Sequence, residues 1–307
     1  MGAVRTTQRL LIDRVLSDLS IQQREILRLQ EQLSTGQKVN RPSDDSLATR
    51  RAISAQGEIS RNEQYATNIS TTSPGLVATD SALTTTIDVI QRVRELTIQG
   101  SSGTNAQLQR DQIAIEVDQL IESLLVQANS ISNERFIFGG TVTLSPPFEA
   151  TRDVDGQITG VNYLGNDQTF SIEIQAGIQV AANEPGSKVF AAAGTGGQDI
   201  FQTLIDIREN LNSGDVAALE TRLTELSAAQ DQVLVSTARI GATQNRLERV
   251  DSNLQDINLQ LLGVIADNID ADFAKTIVEL NAQTNSLQAS LDASARVIQP
   301  SLLNFLQ

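Results

Sequence analysis

LETRLTELSAAQDQVLVSTARIGATQNRLERVDSNLQDINLQL (Leu219–Leu261) is the stretch on which the fold turns. Leu219, Leu226, Val233, Ile240, Leu247, Leu254 and Leu261 recur every seven residues without a miss. The companion position is weaker. Leu223 and Ile257 are apolar, but Gln230, Thr237 and Gln244 are polar. One narrow stripe on a long helix suits an elongated helical bundle and serves as its intramolecular seam. At about 1.5 Å per residue, roughly 45 helical residues span about 65–70 Å. Gly241 interrupts the pattern at a cost of about 1 kcal/mol relative to Ala. A close approach of another helix or another chain is the expected reason for it.

Outward from this stripe, both chain ends carry stripes of their own. Ile12, Val15, Leu19, Gln22, Ile26, Leu29 and Leu33 alternate three-four spacing. Phe273, Ile277, Leu280, Thr284, Leu287, Leu291, Ser294 and Ile298 do the same, and Pro300 is expected to stop that helix. Each terminal stripe is separated from the bundle by a break. In STGQKVNRPSDDSLATRRA (Ser34–Ala52), Gly36 ends one helix and Pro42 starts the next segment. Ser43 is the expected cap, with Asp44 and Asp45 in the first turn. In GVIADNIDADFAK (Gly263–Lys275) the heptad loses phase. Gly263 is read as a hinge and Asp270 and Asp272 as caps, with Asp267 nearby. Capping explains these aspartates more simply than a metal would, since a metal needs several converging oxygens. The matched breaks predict that the terminal helices pair as a separate coiled-coil layer, joined to the bundle by a two-stranded spoke. Two helices alone bury little surface, so their stripes are expected to find partners in neighbouring copies.

Between the ends, Leu83, Ile87, Ile90 and Val93 mark a helix over Leu76–Gln99. GSSGTNA (Gly100–Ala106) reads as a turn. Ile113, Val117, Leu120, Leu124, Ala128 and Ile131 mark another helix, and Asp44–Ser70 a further one. From FIFGGT (Phe136–Thr141) to about Gly197 the helical period vanishes. Asp155-Gly156 and Gly165-Asn166 are hairpin signals, Phe170, Ile172 and Ile174 alternate as in a strand, and Ile178 and Val180 continue it. GTGGQ (Gly194–Gln198) lacks the Lys-Ser/Thr ending of a phosphate loop and reads as linker. The resulting fold class is mainly α with a small β insertion. It comprises an inner helical domain (1–40 with 268–307), a bundle domain (41–140 with 198–267) and a β-rich outer domain (141–197).

Composition narrows the function. The chain of 307 residues has 23 Lys+Arg against 37 Asp+Glu, a formal charge of −14. That charge argues against nucleic acid and anionic membranes as partners. There is no Cys, His or Trp. Disulfides, thiolate or imidazole metal sites and His-assisted nucleophiles are therefore excluded. No cofactor or metal site is expected, and no catalytic residue. No apolar run is long enough to cross a membrane or to form a signal-peptide core.

Three motifs then resemble the bacterial flagellin superfamily. NRPSDDSLATRRA (Asn40–Ala52) is similar to its N-terminal Pro-Ser-Asp-Asp segment. ARIGATQNRLE (Ala238–Glu248) is similar to its Gly-Ala-Gln-Asn-Arg-Leu stretch. DADFAKTIVELNAQTNSLQASLDASARVIQPSLLNFL (Asp270–Leu306) is similar to its C-terminal helix. The insertion, with FIFGGT and YLGNDQTFSIEIQAGIQVAANEPGSKVF (Tyr163–Phe190), resembles that of the superfamily's hook–filament junction members more than that of flagellins proper. The resemblance implies a secreted, non-enzymatic structural subunit at the hook–filament junction, exported through the flagellar type III channel with a chaperone. It would assemble with copies of itself in a ring, a hook-associated protein on the hook side and flagellin on the filament side. The alternatives are a filament-forming flagellin and an unrelated coiled-coil scaffold.

Overall fold

The computed structural model describes residues 2–103, 106–190 and 197–303, with side chains at 10, 12–103, 106–190 and 197–295. GTGGQ lies largely outside the described residues, as does the side chain of Ile298. The protein is mainly α with small antiparallel sheets. Helices α1 (Gly2–Thr35), α2 (Ser46–Ser101) and α3 (Gln107–Ala128) precede six short strands. Then come α4 (Gly186–Val189), α5 (Ile200–Ser213), α6 (Val216–Ile269) and α7 (Phe273–Leu303). The chain divides into two compact units, residues 62–255 and residues 1–61 with 256–307.

The 62–255 unit is built on the seven-residue stripe. Leu219, Leu226 and Val233 are fully buried, and Ile240, Leu247 and Leu254 nearly so. They belong to one cluster of buried side chains with Leu76, Leu83 and Ile90 of α2 and Val117, Ile121 and Leu124 of α3. Each such side chain contributes about 1.5–3 kcal/mol by leaving water. Thr86 and Thr97 are buried in α2, and their hydroxyls donate to the carbonyls of Ala82 and Val93 at 2.8 and 2.7 Å. A threonine that bonds its own helix can stand in a seam without an orphaned polar group. Gly241 has open space around it: an added Cβ would meet nothing within 4 Å. No close approach within the chain explains this glycine.

Several sequence expectations are corrected here. The segments Asp44–Ser70 and Leu76–Gln99 are one helix, and α2 runs straight through Pro74. Ile131 does not extend α3. It lies exposed in strand β1 (Ile131–Ser132), which pairs with β2 (Arg135–Phe136). The left-handed Asn133 and Glu134 make the turn between them. Helix α5 has no counterpart in the sequence reading. Asp199 caps it by accepting from the backbone N–H of Gln202 at 3.0 Å, and Gly214 ends it at φ +72°.

The insertion forms two further hairpins. Strand β3 (Phe148–Arg152) pairs with β4 (Ile158–Tyr163) around Asp155-Gly156. Strand β5 (Ser171–Gln175) pairs with β6 (Ile178–Ala181) around Gly177. Gly165-Asn166 makes no hairpin turn; it links β4 to β5. The Asn166 side-chain oxygen accepts from the Thr141 N–H at 2.9 Å. Half of the scarce aromatics gather under these hairpins. Phe138, Phe148, Tyr163, Phe190 and Phe201 stack with neighbouring centroids 5.0–6.1 Å apart. Gly186 is required beside them, because a Cβ there would sit 2.7 Å from the Phe148 ring. The preceding Glu184 is buried and paired with Arg239 of α6. Burial pushes its carboxyl above the usual range, against the pull of Arg239 and Lys188.

Candidate functional site

The candidate site is the paired terminal helices and their connectors, all within the unit of residues 1–61 and 256–307. Helix α1 packs along α7. The pair is antiparallel, since the Gly36 carbonyl accepts from the Ala271 N–H at 2.9 Å while the Gln22 amide reaches Ser290 Oγ at 3.3 Å.

The connectors are bonded to each other. Gly36 takes φ +74°, its N–H closes α1 on the Gln32 carbonyl at 2.9 Å, and the chain turns. Gln37 bridges Asp270, and the Lys38 N–H donates to the Ile269 carbonyl at 2.7 Å. The two connectors thus meet in a short antiparallel bridge. The capping details differ. Ser43 caps nothing. Asp45 is the N-cap of α2, accepting from Leu47 and Ala48 N–H at 3.0 and 2.9 Å. Asp44 instead folds back on the connector, accepting from Asn40 and Arg41 N–H at 3.2 and 2.9 Å. Gly263 is no hinge, because α6 continues through it to Ile269. The restart belongs to Asp272, whose carboxylate accepts from the Lys275 N–H at 3.1 Å. Asp270 lies in the bridge. Pro300 does not stop α7, which runs on to Leu303.

Of the expected α1 stripe, Leu29 is buried and Val15, Leu19, Ile26 and Leu33 are half-buried, while Ile12 is exposed. On α7, Leu280 and Leu287 are half-buried, but Phe273, Ile277 and Leu291 stay about half exposed. The covered face of α7 is rotated from the expected one. It is completed by Thr276, Gln283 and Ser290, spaced by seven. Thr276 tolerates burial because its hydroxyl donates to the Asp272 carbonyl at 2.7 Å. Gln22 is half-buried in the seam, and its Oε1 has no partner among the described residues. The contact between the two helices is therefore thin in apolar groups.

The uncovered apolar surface is wider than the stripes indicate. Leu10 and Ile21 form one row beside the α1 seam, and Leu16 and Leu27 another on its other side. Leu27 is 62% exposed and Val278 of α7 is 67% exposed. Leu47 and Ile53 of α2 and Leu259 and Leu262 of α6 are exposed as well. The signal for the α1 rows was an eleven-residue spacing, masked by the stronger three-four pattern. On the bundle stripe, Leu261 is only half-buried. Among the described residues no group of acidic side chains is arranged to hold a metal.

Residues 12–143 match the bacterial flagellin N-terminal helical region. Over nearly its whole length the chain is similar to flagellar hook-associated proteins and to flagellins. It is 25% identical over 311 residues to flagellar hook-associated protein 3 of Escherichia coli, covering 94% of this chain and 96% of that one. It is also 27% identical over 261 residues to a flagellar filament 30.7 kDa core protein of Treponema maltophilum, covering 85% of this chain and 84% of that one. A solved structure of a hook-associated protein described as putative, from Vibrio parahaemolyticus, shares the fold. Its TM-score is 0.65 at 19% identity, over 74% of this chain and 100% of that one.

Proposed function

We propose that this chain is the subunit that joins hook to filament, assembling through its terminal helices. The observation behind this reading is the exposed apolar surface of α1 and α7, beside a thin contact of their own. Single exposed leucines are ordinary, but rows flanking a seam on two long helices are not. Neighbouring copies in a ring would cover them, each contact modest and several made at once. A second hook-associated protein would sit on the hook side and flagellin on the filament side. The chain would reach that position unfolded, through the flagellar export channel with a chaperone, and would do no chemistry there. The near full-length likeness to hook-associated protein 3 supports this reading over that of a filament flagellin. The likeness to a filament core protein supports the flagellin reading.

Deleting the gene separates them. Loss of motility with hooks present and flagellin shed into the medium is the result expected of a junction subunit. Purified chain that grows into long filaments unaided would show a flagellin instead.

A further inference from the structure

A groove of about 260 Å³ lies between the start of α2 and the end of α6, walled by Val39, Pro42, Ile53, Ile265 and Ile269 and by polar side chains that include Arg41. Ile53 on its rim is 66% exposed. Arg50 stands one turn before Ile53 on the same side of α2. On α6, helical spacing turns Val264 and Asp267 together, away from the groove-lining Ile265 and Ile269. Each copy thus carries two different faces. One is an apolar groove with an arginine on its rim, and the other is an exposed valine beside an aspartate.

The placement of these charges runs against the local fold. Asp267 lies in the last turn of α6, where the helix dipole disfavours an anion; that turn holds no basic residue of its own, and the Lys38 ammonium donates to the Asp267 backbone carbonyl rather than pairing with its carboxylate. Arg50 and Arg51 follow the first turn of α2, which holds no acidic residue. Neither Arg50 nor Asp267 forms a side-chain ion pair among the described residues. Charges that cost the monomer stability have their use elsewhere. The rest of the chain points the same way. Residues 62–255 carry 11 Lys+Arg against 24 Asp+Glu, and residues 1–61 with 256–307 carry 12 against 13. Copies repel through the first unit. Only the second has enough basic residues to match its acids.

We infer that the groove is filled by a second copy of this chain, whose Val264 enters beside Ile53 while its Asp267 pairs with Arg50. Two unlike faces on one chain make a head-to-tail contact, the kind that generates rings. The inference rests on the assembly reading above and names the residues of one lateral contact within it.

The test uses a strain lacking the gene, complemented with full-length alleles. Arg50→Glu alone and Asp267→Lys alone are each expected to lower the number of attached filaments about tenfold, as reversal of an interfacial charge pair does. The two alleles expressed together restore it, because each reversed face meets its reversed complement. The doubly substituted chain also restores it by itself. Arg50→Glu melts no lower than the parent, since it replaces a charge that opposes its helix dipole. Attached filaments at the parental level in either single variant, or no restoration by the pair, would overturn the contact while leaving assembly through α1 and α7 standing. If the wild-type allele restores no filaments either, the assembly reading itself fails. Leu27→Ser is the contrasting control, because no charge-reversed partner can restore it.

Discussion

The two units use the same helical material in opposite ways. In residues 62–255, every stripe residue from Leu219 to Leu254 is buried, in one cluster with side chains of α2 and α3. In residues 1–61 with 256–307, shorter apolar rows face water, and the helix pair is held by a thin seam with Gln22 half-buried in it. The difference shows that a heptad stripe does not by itself say what covers it. What decides is how many other elements are available. α6 has α2, α3, α5 and an aromatic cluster within its unit, while α1 and α7 have chiefly each other.

Substitutions can break or sharpen this contrast. The largest loss is expected for Phe190→Ala at the centre of the aromatic cluster, about 3–5 kcal/mol in denaturant unfolding, with Leu226→Ala next at about 2–5 kcal/mol. Both should leave α1 and α7 as exposed as before. Asp45→Ala removes the cap of α2 and should cost about 1 kcal/mol. Glu184 sharpens the contrast through pH. Its folded carboxyl is raised by burial, so the native state holds the proton more tightly than the unfolded chain does. Stability should therefore fall as pH rises from the unfolded value, near 4.5, through the raised folded value. Glu184→Gln should remove that slope in thermal melts across the same range. The smallest effect on stability belongs to Leu27→Ser on the open face of α1, within about 0.5 kcal/mol. Flagellar attachment should nevertheless be lost, and a large fall in melting temperature would mean that Leu27 is covered within the chain.

Much of the fold was legible because periodicity records burial directly. The seven-residue stripe of α6, the turns at Gly36 and Asp155-Gly156, and the connector break were all plain, whereas the turn at Gly177 was read as a strand running on. α2 was read as two segments although it runs through Pro74, where a helix proline costs about 3 kcal/mol by local rules. Leu76 and Leu83, fully buried one and two heptads beyond Ile69, outweigh that cost. Helix α5 was missed because Ile200, Phe201, Leu204 and Ile205 read equally well as a short apolar run, and its helical nature rests on Asp199 and Gly214 at its ends. The face of α7 was misjudged for a different reason. Thr276 satisfies its hydroxyl on its own helix, so a polar residue occupies the covered side and Phe273, Ile277 and Leu291 are displaced to its edge. Ser43 lost the capping role to Asp45, two residues on, because the connector folds over Asp44 first.

Amide hydrogen exchange on the dilute, unassembled chain tests the central claim most directly. Residues 12–35 and 273–295 should exchange orders of magnitude faster than residues 76–97 and 219–254, and should gain protection only when copies come together. Equal slow exchange in all four stretches of the lone chain would show the terminal helices already satisfied, and would contradict the account.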